Sequence, residues 1–294
     1  YNDIYFKHPY HTKVPIAAIE QYLKHYTLPG DIIFDGFAGT GMTGVAAQLT
    51  DRKLKSITLD LAPIASYINY YYNYPASPKY SRPFLLNQFN KLQEQYSWLY
   101  ETKHTNGDKG TISSVIWSEV FVCPTCGEEL VFWDNGVDVE NGKVLDNITC
   151  KRCGSQFKKN NDNKFFEAFY DDEVNIASRR VKIVPIRITY SYAGRSYYKT
   201  PDADDIQLLD TIQSFTIPNW FPSYQIPKGE KTQDAIKTGI EYVHQLYFKR
   251  SLIVLSALRD MLDINTLGIL TSVAFRINKR YALTYMAGKW GAGG

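Results

Sequence analysis

The chain has 294 residues, of which 44% are hydrophobic, and a formal net charge of +3. This length allows one large core or two modest ones. No apolar run reaches the roughly 18–20 residues that a transmembrane helix needs, and the N-terminus lacks a signal-peptide pattern. We therefore expect a soluble, cytoplasmic protein with no membrane partner.

The first 75 residues alternate between predicted helices and predicted strands. Apolar side chains at three- and four-residue spacing predict a helix over residues 15–28. Short strands are predicted at IIFD and KSITLD, and further helices at GMTGVAAQLT and APIASYINYYYNYP. This order is typical of an α/β domain with a parallel sheet and crossover helices.

From about residue 80 this alternation ends. One more helix is predicted over Phe84–Thr102, followed by short β-like runs and a hairpin that turns at Ala193–Gly194. Residues 201–232 have no clear period and are interpreted as an irregular surface connection. Helical periodicity returns in residues 234–262 and 267–287. We expect the first part of the α/β domain at 1–80, a β-rich insertion at 81–232, and a helical return to the first domain, cut short, at 233–294.

The loop after the first strand is rich in glycine, with Gly36, Gly39, Gly41 and Gly44. In a strand–loop–helix unit, glycines let a ligand approach the main chain, and the helix N-terminus favours negative charge. A phosphate-binding loop would continue with Gly-Lys-Ser/Thr. Because Met and Thr stand there instead, a nucleoside triphosphatase is disfavoured.

An acid ends each of the two predicted strands. Asp35 precedes the glycines and is placed to meet a cationic or amino group. Asp60 ends the second strand and could accept hydrogen bonds from both hydroxyls of a ribose. Together these features favour S-adenosylmethionine, which carries an amino acid moiety, a sulfonium and an adenosine. A tight turn without a ligand is the alternative.

The segment FDGFAGTGMTGVAA resembles the Asp-Pro-Phe-Ala/Ser/Cys-Gly-Ser/Thr-Gly-x-Thr-Gly loop of the amino-group DNA methyltransferases. The preceding segment, KHPYHTKVPIAAIEQYLKHYTLPGDIIFD, resembles their His-Pro-x-x-Lys-Pro segment and helix, and LDLAPIASYINYYYN resembles their next strand, acid and helix. The resemblance covers about residues 7–74 and implies a Rossmann-like, S-adenosylmethionine-dependent methyltransferase domain. Gly36 stands where the family usually has proline, which implies a looser turn.

The same resemblance implies a site and an activity. The residues that it places around the cofactor are Asp35, Phe37, Gly39 and Gly41 at the methionine end, Asp60 at the ribose, and Thr12, Lys13 and Pro15 over the other side. The implied reaction is methyl transfer to an exocyclic amino group of adenine or cytosine in DNA, in a restriction–modification or phage-defence setting. Two alternatives are a methyltransferase acting on RNA or protein, and a nucleic-acid-binding zinc-ribbon protein whose methyltransferase-like domain is inert.

The catalytic tetrapeptide of that family, Asp/Asn/Ser-Pro-Pro-Tyr/Phe, is absent from the 294 residues. Its polar side chain and proline carbonyl hold the target amino group while its ring stacks on the flipped base. The nearest strings, SRPF, SPKY and IPNWFPSY, all lack the double proline. In this motif order the tetrapeptide would follow Gly294. We therefore assign no catalytic residue and expect the chain to bind cofactor without methylating DNA.

All four cysteines lie in two similar turns, CPTCG with Cys123 and Cys126, and CKRCG with Cys150 and Cys153. In Cys-x-x-Cys-Gly, glycine frees the backbone to direct two thiolates at one ion, and two such turns form a tetrahedral zinc site. We expect a zinc ribbon over about residues 115–160, with structural Zn²⁺. Two disulfides, disfavoured in the cytosol, or a ribbon without metal are the alternatives.

The positive charge is concentrated in one stretch. Residues 143–199 carry 12 Lys/Arg against 6 Asp/Glu, which indicates a polyanionic partner. DNA phosphates are the expected ligand, with Lys151 and Arg152 at the tip of the second turn as the best candidates. A solvated surface without a ligand is the alternative.

Overall fold

The computed structural model describes residues 10, 13–74, 81–160, 162–262, 266, 268–277 and 279–280. The chain divides into two compact units, one of Tyr1–Leu92 with Leu255–Ile277 and one of Gln93–Val254 with Asn278–Gly294. Among the described helices, none combines the length and apolar character that crossing a membrane requires.

The described elements are nine α-helices, thirteen strands and two short 3-10 turns, Ser97–Tyr100 and Val243–Leu246. The helices are α1 (Ile16–Tyr26), α2 (Met42–Leu49), α3 (Pro63–Asn73), α4 (Arg82–Tyr96), α5 (Phe132–Gly136), α6 (Ala203–Ser214), α7 (Gln233–Lys237), α8 (Lys249–Met261) and α9 (Gly268–Arg276). The strands are β1 (Ile32–Asp35), β2 (Lys55–Thr58), β3 (Glu101–Lys103), β4 (Lys109–Val122), β5 (Glu129–Val131), β6 (Val137–Asp138), β7 (Lys143–Val144), β8 (Asn147–Thr149), β9 (Gln156–Lys158), β10 (Phe166–Asp171), β11 (Ile176–Val181), β12 (Ile183–Tyr192) and β13 (Arg195–Lys199).

The first unit contains a β-α-β arrangement of β1, α2 and β2. The two strands pair in parallel, with Ile32 opposite Lys55 and Asp35 opposite Thr58. A parallel pair needs a crossover connection, and α2 supplies it. Because parallel strands end at the same edge of a sheet, the acid that ends β1 and the acid that follows β2 lie at one edge. The described fold is thus mixed α/β, as expected.

The core of the first unit lies between α1, α2 and the sheet. The apolar face of α1 buries Ile16 and Leu23 against Val45 and Ala46 of α2. Small residues on α2 allow this close approach, since Ala46 and Ala47 have almost no exposed surface. This packing fixes the start of α2, and with it the glycine-rich loop.

The main sheet of the second unit has the order β13-β12-β4-β3, and β5 pairs with β4 beyond it. The long strand β4 pairs antiparallel with β12 over most of its length, with two register shifts. Ile112, Ile188 and Tyr190 form the buried cluster on one face of this sheet. The end of β4 continues into a hairpin with β5, so the sheet and the cysteine-containing region share one strand.

Three expectations about secondary structure were wrong. The stretch 201–232 contains α6, whose first turn is closed by a reciprocal capping box between Asp202 and Asp205. The helix expected over Phe84–Thr102 ends at Tyr96, where a short 3-10 turn leads into β3. The helix expected over 234–262 is interrupted, because Gly239 has a φ of +83° and packs directly against the backbone of the Arg179–Arg180 segment.

Candidate cofactor site and metal centre

The acid that ends β1 holds the glycine-rich loop in place. Oδ1 of Asp35 accepts a hydrogen bond of 3.1 Å from the backbone N–H of Phe37. Its Oδ2 accepts one of 2.6 Å from the hydroxyl of Thr43, in the first turn of α2. Asp35 therefore joins the end of the strand to both ends of the loop.

The acid that follows β2 holds the same loop from the other strand. Oδ2 of Asp60 accepts a 2.8 Å hydrogen bond from the N–H of Gly39, and its Oδ1 accepts one of 2.9 Å from the N–H of Ala62. A carboxylate offers about four acceptor positions on its two oxygens. Since Asp60 is half-buried and these two bonds fill two positions, it keeps acceptor capacity for a ligand.

The glycines of the loop serve two different purposes. Gly39 has a φ of +55°, and of the described residues only Tyr10 comes within 4 Å of the position of a Cβ there, at 3.7 Å. At Gly41, by contrast, a Cβ would lie 2.5 Å from Cγ of Asn69. At Gly44 a Cβ would lie 2.9 Å from Cγ of Asn73. The backbone at Gly39 is thus open to a ligand, whereas Gly41 and Gly44 make room for α3.

Two asparagines of α3, Asn69 and Asn73, tie that helix to the loop. Nδ2 of Asn73 donates to the carbonyl of Gly41 at 3.0 Å and to Oδ1 of Asn69 at 2.8 Å. Oδ1 of Asn69 also accepts from the hydroxyl of Thr58 at the end of β2, and Oδ1 of Asn73 accepts from the side chain of Gln48. Sequence analysis missed both residues. The available signal was a pair of poor helix formers, one turn apart, within a helix.

The segment before α1 reaches the same loop through Tyr10, whose ring carbon Cε1 is the neighbour of Gly39 noted above. Pro15 is the N-cap residue of α1, and its carbonyl accepts a hydrogen bond from the N–H of Ala18. Lys13 is half-buried. Thr12 lies outside the described residues. The predicted residues Asp35, Phe37, Gly39, Gly41 and Asp60 are therefore together at one loop, and the segment that carries Lys13 and Pro15 begins beside it.

The start of α2 has the features of a site for an anionic group. Its N-cap is Gly41, in the left-handed conformation, and no side chain of the described chain caps it. The first turn contains no acid, so the N–H groups of the first turn can meet a carboxylate. Within the described part of the chain, the buried hydroxyl of Thr40 also lacks a hydrogen-bond partner. The side chain of Phe37 is 91% exposed beside this loop.

The four cysteines, in the second unit, form one cluster. Their Sγ atoms all lie within 4.8 Å of one another, and the pairs Cys123–Cys153 and Cys126–Cys150 are each 3.7 Å apart. This is close to the edge of a tetrahedron with metal–sulfur bonds of about 2.3 Å, which is about 3.8 Å. It is far longer than a disulfide bond, so the expected alternative of two disulfides does not describe this cluster.

The two cysteine turns have the same backbone pattern. The carbonyl of Cys123 accepts from the N–H of Gly127 at 2.9 Å, and that of Cys150 accepts from the N–H of Gly154 at 2.8 Å. Both glycines have positive φ, +74° and +77°, which explains why each motif ends in glycine. Behind the thiols, Phe121 and Ile148 fill a small core with no exposed surface.

The surroundings of the four thiols favour ionisation of some of them and oppose ionisation of others. Oγ of Ser155 lies 3.2 Å from Sγ of both Cys123 and Cys153, and this contact lowers the pKa of the Cys123 thiol to about 6. A hydrogen bond from the backbone of Glu128 lowers the pKa of Cys126, but burial and the neighbouring thiols raise it to about 12. Four sulfurs this close cannot all carry a charge unless a cation lies between them.

Five of the twelve cations of the basic stretch form ion pairs with glutamates in the described chain. Lys164 contacts Glu119 at 2.6 Å and Arg180 contacts Glu167 at 2.9 Å. The same applies to Lys182 with Glu129, and to Arg152, whose partner Glu128 lies 2.7 Å away. Of the two residues expected to contact phosphate, Lys151 is exposed and Arg152 is already in an ion pair.

Residues 2–72 match the model of the DNA methylase family. Neither the curated proteins nor the solved structures gave a match to this chain. The family match spans α1, β1, the glycine-rich loop, α2, β2 and nearly all of α3, and it stops before the cysteine-containing region.

Proposed function

The stretch of residues 2–72 belongs to the amino-group DNA methyltransferases, and from this premise we propose that the chain is the cofactor-binding part of such an enzyme. The reaction would transfer a methyl group from S-adenosylmethionine to an exocyclic amino group of adenine or cytosine in DNA. The observation that carries this proposal is the pair of acids, Asp35 and Asp60, that hold the glycine-rich loop from two adjacent strand ends.

The residues at the loop fit the three polar parts of S-adenosylmethionine. The N-terminus of α2 suits the carboxylate of the methionine moiety, because it has no side-chain cap in the described chain. Asp35 offers negative charge for the amino group, and Asp60 offers acceptor positions for the ribose hydroxyls. Gly39 leaves its backbone open where the ligand would lie. When bound, S-adenosylmethionine supplies an electrophilic methyl group on its sulfonium.

The chain's own residues position the cofactor in this proposal. Asp35 and Asp60 each use part of their carboxylate to fix the loop, so the loop shape and the ligand contacts are set by the same two side chains. Phe37 and Gly41 would complete the methionine end. Thr12, Lys13 and Pro15 would cover the other side, a role supported by the position of Tyr10 beside Gly39.

The chemical step needs groups that we do not assign to these 294 residues. Transfer to an amino group requires an acceptor for its proton and a ring that holds the extruded base. The tetrapeptide that provides both is absent from the sequence. We infer that the chain alone binds cofactor and does not methylate DNA. The Rossmann-like fold and the divisions 1–80, 81–232 and 233–294 belong to the same proposal.

We further propose that the four cysteines hold one structural Zn²⁺. Four thiolates complete a tetrahedron and leave no position for a substrate. The support is the spacing of the sulfurs, 3.7 Å in two pairs, together with the small core behind them. Partner proteins from restriction or defence systems remain a prediction from the resemblance, and a cytoplasmic location remains a prediction from the sequence.

The test of the proposed function is equilibrium dialysis of the full chain against radiolabelled S-adenosylmethionine. Displacement by unlabelled S-adenosylhomocysteine, but not by ATP or NAD, is the expected result. A chain that retains no label, or from which ATP displaces the label equally well, would overturn the proposal. The first outcome would instead favour a zinc-ribbon protein with an inert methyltransferase-like domain.

A further inference from the structure

One face of the main sheet in the second unit is exposed and polar. β4, β12 and β13 place exposed hydroxyl side chains side by side on this face: Thr111 lies opposite Ser191, and Ser191 lies opposite Ser196. Thr189, two residues before Ser191, lies opposite Tyr198. Residues directly opposite each other in a sheet point to the same side. We call this surface, with Arg187, the hydroxyl face. It lies opposite the cluster of Ile112, Ile188 and Tyr190.

Arg187 is the cation that β12 contributes to the hydroxyl face; Lys109, on the same side of β4 as Thr111, is paired with Glu101 at 2.8 Å. Arg187 precedes Thr189 by two residues and so projects from the same side of β12. Its guanidinium carbon lies 3.9 Å from the ring centroid of Tyr198, and that tyrosine is 69% exposed. The stacked ring restricts the long side chain, which is half-buried as a whole.

No described carboxylate forms a salt bridge with Arg187. Its Nε is buried and has no hydrogen-bond acceptor among the described residues. Because Nε is buried while the residue as a whole is half-buried, an oxyanion would meet the outer part of the guanidinium and supply the counter-charge that the described chain does not. The unpaired Nε and the fixed guanidinium together point to an anionic ligand.

Three other cations of the basic stretch differ from Arg187 in this respect. Lys164, Arg180 and Arg152 each contact a glutamate within 3 Å. A phosphate would have to displace a carboxylate from them, whereas Arg187 has none to displace in the described chain. On the hydroxyl face, Arg187 therefore offers a guanidinium that has no carboxylate to release.

We propose that the hydroxyl face binds the phosphodiester backbone of DNA, with Arg187 as the charged contact and the neighbouring hydroxyls as donors to adjacent phosphates. Arg, Ser and Thr are among the side chains that contact DNA phosphates, and such contacts position a protein without reading sequence. The inference rests on the proposed function, because DNA is the substrate of that reaction. It adds a surface, away from the cofactor loop in the sequence, on which the substrate lies.

The test uses fluorescence anisotropy of a short, labelled, mixed-sequence duplex with the full chain at several salt concentrations. We expect Arg187→Gln to weaken binding about three- to tenfold and to reduce the salt dependence by about one ion. Tyr198→Phe keeps the stacked ring and should bind as the parent does, while Tyr198→Ala should weaken binding.

The matched control is Arg195→Gln. Arg195 is an exposed residue of the same hairpin, opposite Tyr192, so it projects from the other side of the sheet and its loss removes the same charge. Equal weakening by both substitutions would show general electrostatic attraction and overturn the proposal. An unchanged affinity of Arg187→Gln would do the same. If the parent chain binds labelled polyglutamate as tightly as DNA, and Arg187→Gln loses both, the face binds acidic polypeptides and the proposal is wrong.

Dialysis with S-adenosylmethionine on the same preparations separates this inference from the proposed function. Both arginine variants should bind the cofactor as the parent does, and circular dichroism and urea unfolding show whether the second unit, which carries both arginines, is folded. If the parent chain binds the cofactor but Arg187→Gln leaves the affinity for DNA unchanged, only the proposed DNA-binding surface is wrong. A specific effect of Arg187→Gln on DNA, in a chain that binds no cofactor, overturns only the proposed function.

Discussion

A side chain at position 44 would collide with Asn73. A Cβ added to Gly44 would lie 2.9 Å from Cγ of Asn73 and closer still to its Oδ1. Asn73 in turn donates to the carbonyl of Gly41, at the start of α2. The glycine-rich loop is therefore shaped in part by a helix that follows it in the chain, and not only by the demands of a ligand.

The first prediction concerns this contact. Gly44→Ala should push Asn73 away and break its hydrogen bond to Gly41, and Asn73→Ala should remove the same bond directly. Each should weaken binding of S-adenosylmethionine about fivefold or more, since one hydrogen bond is worth about 1 kcal/mol. In the double variant, the effects should not add, because the collision disappears with the asparagine. Isothermal titration calorimetry on the four proteins measures the coupling.

Gly36→Ala is the control for that series. A Cβ at this position of the same loop would meet only the ring of Phe34, at 3.4 Å, so cofactor affinity should change little. Additive losses in the double variant would mean that Gly44 and Asn73 act independently. Urea unfolding of each variant separates loss of binding from loss of stability.

Asp60→Ala should weaken S-adenosylmethionine binding more than any loop substitution. The change removes the expected ribose contacts and also the acceptor for the N–H of Gly39. Hydrogen bonds to a charged group are worth about 1.5–3 kcal/mol, so the dissociation constant should rise about ten- to a hundredfold. Calorimetry gives this value directly, with circular dichroism as the check on folding. An unchanged dissociation constant would show that Asp60 serves only the loop.

The metal prediction is that purified protein contains close to one zinc per chain. Cys126→Ser should lower the zinc content, because the serine hydroxyl is a poor ligand at neutral pH. Removal of the metal should expose the small core around Phe121 and Ile148 to protease, since two of the metal-binding cysteines, Cys123 and Cys150, belong to that core. Elemental analysis and limited proteolysis measure the two effects. Protein prepared without chelator that contains no metal, yet resists protease, would show that packing alone holds the ribbon.

The capping box of α6 gives a prediction about stability. The side chain of Asp202 accepts from the N–H of Asp205, and the side chain of Asp205 accepts from the N–H of Asp202. Asp202→Ala should lower the free energy of unfolding by about 1–2 kcal/mol, while Asp202→Asn or Asp202→Ser should recover most of it. Urea denaturation tests this ranking. Equal stability of the alanine and serine variants would mean that the cap contributes nothing.

The sequence was informative where short-range spacing determines the geometry. Asp35 and Asp60 could be placed at one edge because each follows a short apolar run, and parallel strands end together. The cysteine cluster could be predicted because Cys-x-x-Cys-Gly fixes the direction of its thiols within five residues. The helix α6 could have been predicted in the same way, because Asp202 and Asp205 have the spacing of a capping box. It was missed because the surrounding stretch is rich in proline and shows no clear helical periodicity.

Contacts between distant segments could not be predicted in this way. Lys164 pairs with Glu119 across 45 residues, so the charge count of the basic stretch overstated its open positive surface. Asn69 and Asn73 meet the loop only once α3 packs against α2, a relationship that no local pattern contains. The same applies to Arg187 and Tyr198, which come together through the register of a hairpin.

The last prediction is that the 294-residue chain binds S-adenosylmethionine without methylating DNA. The loop, both strand-end acids and the segment before α1 lie within residues 10–74, so the cofactor contacts can form. Extruding a base from the duplex costs a few kcal/mol, and the Pro-Pro-aromatic tetrapeptide that would offset this cost is absent from the sequence. DNA association should still occur, weakly and with strong salt dependence. Transfer of a tritiated methyl group to a mixed-sequence duplex is the measurement, with Asp60→Ala as the matched control. Incorporation above the Asp60→Ala level would mean that the catalytic groups lie within these residues, in a form that the tetrapeptide pattern does not describe.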